Sequence, residues 1–281
     1  MKQIKLSNSI AIPQIGLGTW QITDKEMMEA LLGNAYQAGY RLIDTAAAYS
    51  NEMAIGQALQ KLGIARKEWI LSDKVWNTYR GYDNVRKACE KSLKKLKTDY
   101  LDLYLIHWPA SPKLYPDWAA INADTWRGME SLYQEGKVRA IGVCNFKAHH
   151  LMELQKTAEI MPMVNQLEAH PGMTQEETTA FCKKGGIALE ASSPLGNGQI
   201  LQNDVLKRIA VEKNKTVAQV CLRWAVQKDM VVIPKTVSPD RLVENIGLFD
   251  FELDEREMKA IDDIPYCGGI GIDPDEAVEF G

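Results

Sequence analysis

Short apolar runs rich in β-branched and aromatic residues alternate along the chain with longer segments whose apolar positions recur at helical spacing. Eight runs read as strands: 15–19, 41–45, 69–75, 101–107, 138–145, 163–169, 187–192 and 230–236. Helical spacing covers 24–38, 52–62, 83–96, 125–134, 149–158, 176–184 and 217–226, with 239–248 after the eighth strand and 254–264 near the end. Strands apolar on both faces, each followed by a helix, require a parallel sheet with right-handed crossovers. Eight such units in 281 residues fit a closed barrel better than an open sheet. The segment 4–12, with its Ser-Asn-Ser turn, reads as a hairpin capping the lower end of that barrel.

The expectation is therefore one α/β domain over 1–281: a (β/α)8 TIM barrel with an N-terminal β-hairpin. Two regions break the alternation. Residues 108–124 (WPASPKLYPDWAAINAD) form a long loop that must lie at the C-terminal mouth, because it follows the fourth strand. The Gly-rich, acidic tail 265–281 follows no strand, so the alternation does not place it; it is expected over the active-site mouth.

Composition narrows the function. Lys+Arg 33 against Asp+Glu 37 gives a net charge of −4, no basis for binding a polyanion, so nucleic acid is not an expected partner. No apolar stretch is long enough to cross a bilayer, and Ser7, Asn8, Ser9 and Pro13 interrupt the opening residues, so neither a membrane partner nor a secretory signal is expected. Five cysteines, odd in number and without a CxxC pair, argue against a disulfide framework and a zinc cluster. A reduced cytoplasmic protein is the simplest reading.

Reactive side chains of such barrels come from the C-terminal ends of several strands. Here those ends carry Asp44, Lys74 and His107 on consecutive strands, with Tyr49 in the loop after Asp44. Singly, Asp44 reads as a turn cap, Lys74 as a solvated strand end and His107 as a rim residue; together they suit one reaction. A carbonyl becoming an alcohol needs a proton at its oxygen as a hydride reaches its carbon. Tyrosine is a neutral donor with an ordinary pKa of about 10, and a neighbouring ammonium lowers it. Lys74 supplies that charge if Asp44 keeps it ionised, and His107 orients the carbonyl by donating a hydrogen bond. The expectation is a phenol made unusually acidic.

Seven motifs, in order over nearly the whole chain, resemble the aldo-keto reductases: GLGTWQ (16–21), DTAAAYSNE (44–52), SDKVWN (72–77), LIHWP (105–109), NQLEAHP (165–171), SPLG (193–196) and IPKTVSPDRLVEN (233–245). The chain is most similar to the short bacterial members that include the 2,5-diketo-D-gluconate reductases, whose ends resemble GIDPDEAVEF. The resemblance implies an NADPH-dependent reductase, mostly monomeric, with Asp44, Tyr49, Lys74 and His107 as the catalytic residues and no metal.

Gly16-Leu17-Gly18 lacks the third glycine of a dinucleotide fingerprint, so a Rossmann site is not expected. At the eighth strand's end, Lys235, Thr236, Ser238 and Arg241 combine cations, hydroxyls and a helix N-terminus into a plausible phosphate pocket. The resemblance implies that these four hold the 2′-phosphate of NADP, that Glu244 and Asn245 meet the adenine, and that Asn145 and Gln166 bond the nicotinamide carboxamide. It also implies Gly18, Thr19, Asp44, Ser193, Leu195 and Val237 at the cofactor. Two departures weaken the nicotinamide end. Ser192 stands where relatives usually carry a stacking Tyr or Trp, and Cys144 where they usually carry Ser.

Trp20, Trp76 and Trp108 at strand ends are read, with Tyr49 and His107, as the wall of a carbonyl pocket, and the resemblance gives them substrate contacts. The acidic tail offers no obvious carboxylate clamp, and a sugar acid stays open as a substrate. His149-His150 reads as a solvated pair, and His170 sits in a family motif without an arguable catalytic role. Two other readings are weaker: a metal-dependent hydrolase, which four histidines without HxH or HExxH do not support, and a sensor holding NADPH without turnover.

Overall fold

The chain opens on a hairpin of β1 (Gln3–Lys5) and β2 (Ala11–Pro13), antiparallel from the pair Gln3↔Pro13. The computed structural model describes residues 2–276; residue 1 and residues 277–281, the end of the tail, lie outside the described residues. Asn8 at the hairpin turn donates its amide to Arg139 O at 2.9 Å, on the side where strands enter the sheet, so the hairpin lies at the lower end as expected.

Eight parallel strands follow: β3 (Leu17–Gly18), β4 (Leu42–Asp44), β5 (Ile70–Val75), β6 (Leu103–Ile106), β7 (Ile141–Cys144), β8 (Val164–Glu168), β9 (Ala188–Ser192) and β10 (Met230–Val232). They neighbour one another in chain order. The ring closes where β10 returns to the start of β3. Gly16 N donates to Val232 O at 2.8 Å, Val232 N to Gln14 O at 3.0 Å, and Gly18 N to Pro234 O at 3.2 Å. The architecture is the expected (β/α)8 barrel.

Helices among the described residues are α1 (Lys25–Ala38), α2 (Glu52–Leu62), α3 (Tyr82–Leu96), α4 (Trp118–Gln134), α5 (Ala148–Gln155), α6 (Glu176–Lys184), α7 (Asp204–Lys213), α8 (Val217–Gln227), α9 (Pro239–Ile246) and α10 (Glu255–Asp262). Five of their starts are capped by a side-chain oxygen: Asp24, Asn203, Thr216, Ser238 and Asp254 each accept a first-turn amide. The core fills the space between strands and helices. Three of its large buried aromatics satisfy their polar ends: Trp126 Nε1 donates to Ile160 O, Trp224 Nε1 to Asp262 and Tyr40 OH to Leu242 O.

Two expectations need correction. Helix α4 starts at Trp118 rather than at 125, because Asn122 Oδ1 accepts the buried Ala110 amide at 2.8 Å and ties the helix's first turns to the loop; the mouth loop therefore ends sooner. Between β9 and β10 lie two helices, not one. Buried Leu206, Ile209 and Ala210 give α7 its apolar face, and Asn214, left-handed at φ 52°, ends it before α8.

Candidate active site

Strand register decides which side chains meet. Paired residues of parallel neighbours point to the same face, so Asp44↔Ser72 share the barrel interior, with Lys74 two residues further along β5. Lys74 Nζ lies 2.7 Å from both Asp44 oxygens and donates to Thr45 O at 2.9 Å; its side chain is 0% exposed. Gln166 Nε2 donates to Asp44 Oδ1 at 3.0 Å, and Ser72 Oγ reaches the same oxygen at 3.4 Å. A short turn, Ala47–Tyr49, swings the Tyr49 ring back until its centroid is 5.1 Å from Lys74 Nζ and 5.8 Å from the His107 ring. The structure thus brings all four expected catalytic side chains to one place. Asp44, Tyr49 and His107 line a cleft of about 1200 Å³ at the C-terminal ends of the strands, with Lys74 buried behind it.

The electrostatics correct one expectation. Burial pushes the Tyr49 phenol above its ordinary value; the charge of Lys74 and its hydrogen bond oppose this without overcoming it, and Asp44 adds to the rise. The phenol therefore holds its proton at neutral pH, rather than being unusually acidic. Burial works against the Lys74 ammonium, but Asp44 first, then Tyr49 and Cys144, carry its pKa above the usual range. Burial and the Lys74 charge drive His107 well below the ordinary histidine value, so its ring is neutral and offers one N–H.

The sequence reading missed three supporting residues. Glu190 lies in register with Gln166 and Cys144 on the interior face, and burial, then the Asp44 charge, push its carboxyl up to about 8. A carboxylate inside the apolar run ALEAS was the visible signal. Asn51 is fully buried; it donates to Thr19 O and Ile22 O and accepts from Thr45 Oγ1 at 2.6 Å, locking the ends of β3 and β4 together. Ser72 is the third.

The lining of the cleft also includes Gly18, Thr19, Asn145, Gln166, Ser193, Leu195, Lys235 and Arg241. Gly18 must lack a side chain, since a Cβ there would lie 2.7 Å from Ile233 O. Neither Lys235 nor Arg241 forms an ion pair among the described residues. They flank the start of α9, where Ser238 Oγ accepts the Arg241 amide and Thr236 Oγ1 the Ser238 amide. Two uncompensated cations at a helix N-terminus suit a phosphate dianion, so the donor set fits NADP. Val237 is half-exposed between them. Glu244 and Asn245 stand apart from the cleft lining: Glu244 accepts from Thr216 Oγ1 at 2.6 Å, and Asn245 is buried.

Cys144 acts on its neighbours. Its sulfur accepts from Asn145 Nδ2 at 3.2 Å and donates to Gln166 Oε1 at 3.6 Å, so it braces the two amides expected at the carboxamide. Burial keeps the thiol protonated. Ser192 lies on the cleft wall, with Trp20, Trp76, Trp108, Ile270 and Ile272 around the rim.

The His149-His150 pair is not solvated as expected. His150 is buried, both rings face Asp275 of the tail, and burial and His149 push His150 down to about 4. The three ligand atoms lie within 4.8 Å of one another. However, His150 Nδ1 accepts the Lys147 amide at 3.1 Å, so the neutral ring turns an Nε2 proton, not a lone pair, toward Asp275. The cluster fastens the tail and is unsuited to a metal. With residues 270–274 in the cleft lining, the described part of the tail lies over the mouth, as expected.

The sequence model of the Aldo/keto reductase family matches residues 14–265. The chain is 48% identical over 273 residues to a glyoxal reductase of Bacillus subtilis (strain 168), covering 97% of this chain and 96% of that protein. It is 46% identical over 275 residues to a 9,11-endoperoxide prostaglandin H2 reductase of Trypanosoma cruzi (strain CL Brener), covering 97% and 94%. Its structure resembles that of a Gox0644 variant in complex with NADPH, with a TM-score of 0.90, 37% identity, and 99% and 98% of the two chains covered. No helix among the described residues is long and apolar enough to cross a membrane.

Proposed function

The chain belongs to the aldo/keto reductase family, and from that membership we propose that Tyr49, Lys74, Asp44 and His107 perform its catalysis. It is an NADP(H)-dependent oxidoreductase that reduces aldehydes or ketones to alcohols. The observation that carries the residue assignment is the fully buried Lys74 ammonium, held by both oxygens of Asp44 and facing the Tyr49 ring. When bound, the reduced nicotinamide supplies hydride to the carbonyl carbon.

The chain's own residues do the rest. His107, neutral, donates N–H to the carbonyl oxygen and fixes its direction. Tyr49 gives its phenolic proton to that oxygen, and Lys74 stabilises the phenolate as it forms; water entering the cleft returns the proton. Asp44 keeps Lys74 charged. Asn145 and Gln166 hold the carboxamide, with Gly18, Thr19, Ser193 and Leu195 along the cofactor. Lys235, Thr236, Ser238 and Arg241 hold the 2′-phosphate, Val237 lies beside the cofactor, and Glu244 and Asn245 serve the adenine end. Trp20, Trp76 and Trp108 contact the substrate. The reading is completed by one domain over 1–281, a monomer in the cytoplasm; the five unpaired thiols support a reducing compartment.

The first test is NADPH oxidation, followed by absorbance, with a panel of aldehydes that includes glyoxal, the compound named for the Bacillus relative. Turnover that survives exhaustive chelation is expected; no turnover with any carbonyl, in a protein that binds NADPH, would favour the sensor. Arg241→Ala is expected to weaken NADPH binding about 10–100-fold, the value of one hydrogen bond to a charged group. NADH binding should stay unchanged, and parallel losses for both cofactors would remove Arg241 from the phosphate. Ser192→Tyr supplies the missing stack and is expected to tighten NADPH about 2–10-fold. Fluorescence titration checks it, and unchanged affinity would mean that Ser192 does not face the nicotinamide.

A further inference from the structure

The motif NQLEAHP ends β8 with Glu168 and, beyond it, His170, two buried residues that the mechanism does not use. Glu168 reaches across to the tail: Oε1 accepts the Ile270 amide at 2.5 Å, and Oε2 accepts the Gly271 amide at 2.8 Å. His170 Nε2 stands 3.5 Å from the same carboxylate. Burial works to raise the Glu168 carboxyl, but His170 and the two tail amides bring it below its ordinary value, so it meets the tail as an anion. The tail is cut to receive it. At Gly269, with φ +119°, a Cβ would lie 2.3 Å from Glu168 Oε1 and 2.6 Å from His170 Nε2, so only glycine allows this approach.

A second fastening lies a few residues further on. Lys147 Nζ reaches Asp273 at 2.6 Å and Asp275 at 2.9 Å, and Ser111 Oγ donates to Asp275 O at 2.5 Å. Ile270, at the first fastening, and Ile272, between the two, belong to the cleft lining, where they are 40% and 37% exposed. Large apolar side chains held at a pocket rim, with backbone on both sides pinned by charge, form a prepared apolar surface.

We propose that Glu168 is a positioning residue that clasps the tail amides of Ile270 and Gly271, so that the tail becomes an apolar wall of the carbonyl pocket and favours aldehydes bearing an apolar chain. The proposal rests on the reductase reading of the same cleft. Its probes are hexanal, long enough to reach the wall, and glyoxal, which is too short and too polar to use it.

In the full-length protein, Glu168→Gln keeps the shape but turns an amide donor toward one of the two tail amides. Amide exchange at Ile270 and Gly271 is expected to quicken about tenfold or more, the loss of a charge-assisted hydrogen bond. KM for hexanal should rise about tenfold while kcat stays within about twofold, and KM for glyoxal should move less than about twofold. Gly269→Ala attacks the same contact from the tail, away from the barrel, and should give the same pattern. The double variant should be no worse than the worse single one. Unchanged exchange in both variants would overturn the clasp. Equal KM shifts for the two aldehydes, or a fall in kcat, would overturn the specificity role. Wild-type protein that oxidises NADPH with neither aldehyde would instead overturn the reductase reading, and exchange at the two amides would still decide the clasp.

Discussion

Tyr49→Phe is expected to lower kcat for carbonyl reduction by about 10²–10⁴-fold, the usual contribution of a positioned general acid, while NADPH affinity stays within about twofold. The substitution removes one oxygen from a half-buried ring at the edge of the cleft and leaves the Lys74–Asp44 pair intact. Only the proton donor is lost. The phenol's raised pKa makes the prediction sharper. A donor already ionised in the resting protein has no proton to give; Tyr49 is held in its acid form by burial, and the Lys74 charge acts most strongly once negative charge develops on the oxygen. That is stabilisation realised in the transition state rather than before it.

The pH profile carries the sign. Reduction needs the protonated phenol, which persists below its pKa, and that pKa lies above the ordinary value of about 10. The rate of reduction should therefore show no Tyr49 limb through neutral and mildly alkaline pH. Rapid-mixing measurement of the chemical step decides both points. A Tyr49→Phe enzyme retaining more than about a tenth of wild-type kcat would transfer the acid role to another group, with His107 the next candidate in the cleft.

Much of this site could be read before any coordinates, for a definite reason. In a parallel barrel the C-terminal end of each strand is a known place, so a run such as LIHWP announces both a strand and a residue at the mouth. Asp44, Lys74 and His107 needed only that rule, and Tyr49 only a short loop. What escaped depended on register or on distant approach. That Glu190 faces Asp44 follows from the pairing Cys144↔Gln166↔Glu190, which no local pattern states. His150 looked solvated because its partner, Asp275, arrives from the far end of the chain. The phenol's acidity was misjudged because charges can be counted in a sequence while burial cannot. Helix α7 had its apolar face in plain view; the error was to assume one helix per strand. The glycines of CGGIG were visible, but their meaning lay in the carboxylate that Gly269 admits.

Asp44→Asn is expected to destabilise the protein by about 3–5 kcal/mol, since it leaves a fully buried ammonium without its counter-charge. At about 2–4 °C per kcal/mol for a chain of this order, the melting temperature should fall by roughly 6–20 °C. Activity should fall with it, because an ammonium that loses Asp44 loses the main influence holding its pKa up against burial. Two further variants separate stability from chemistry. Asp44→Asn combined with Lys74→Met removes both charges from the interior, so much of the lost stability should return while reduction stays abolished. Asp44→Asn combined with Glu190→Gln should be worse than Asp44→Asn alone. Glu190 is kept protonated up to about 8 partly by the Asp44 charge, and once that charge is gone it ionises more readily and stands in as the counterion to Lys74. The deficit of Asp44→Asn should therefore shrink as pH rises through the range in which Glu190 loses its proton. With Gln at 190 that recovery should vanish, and denaturant titrations across pH would show the difference. Equal deficits at every pH, with or without Glu190, would mean that the barrel's interior charge rests on the Lys74–Asp44 pair alone.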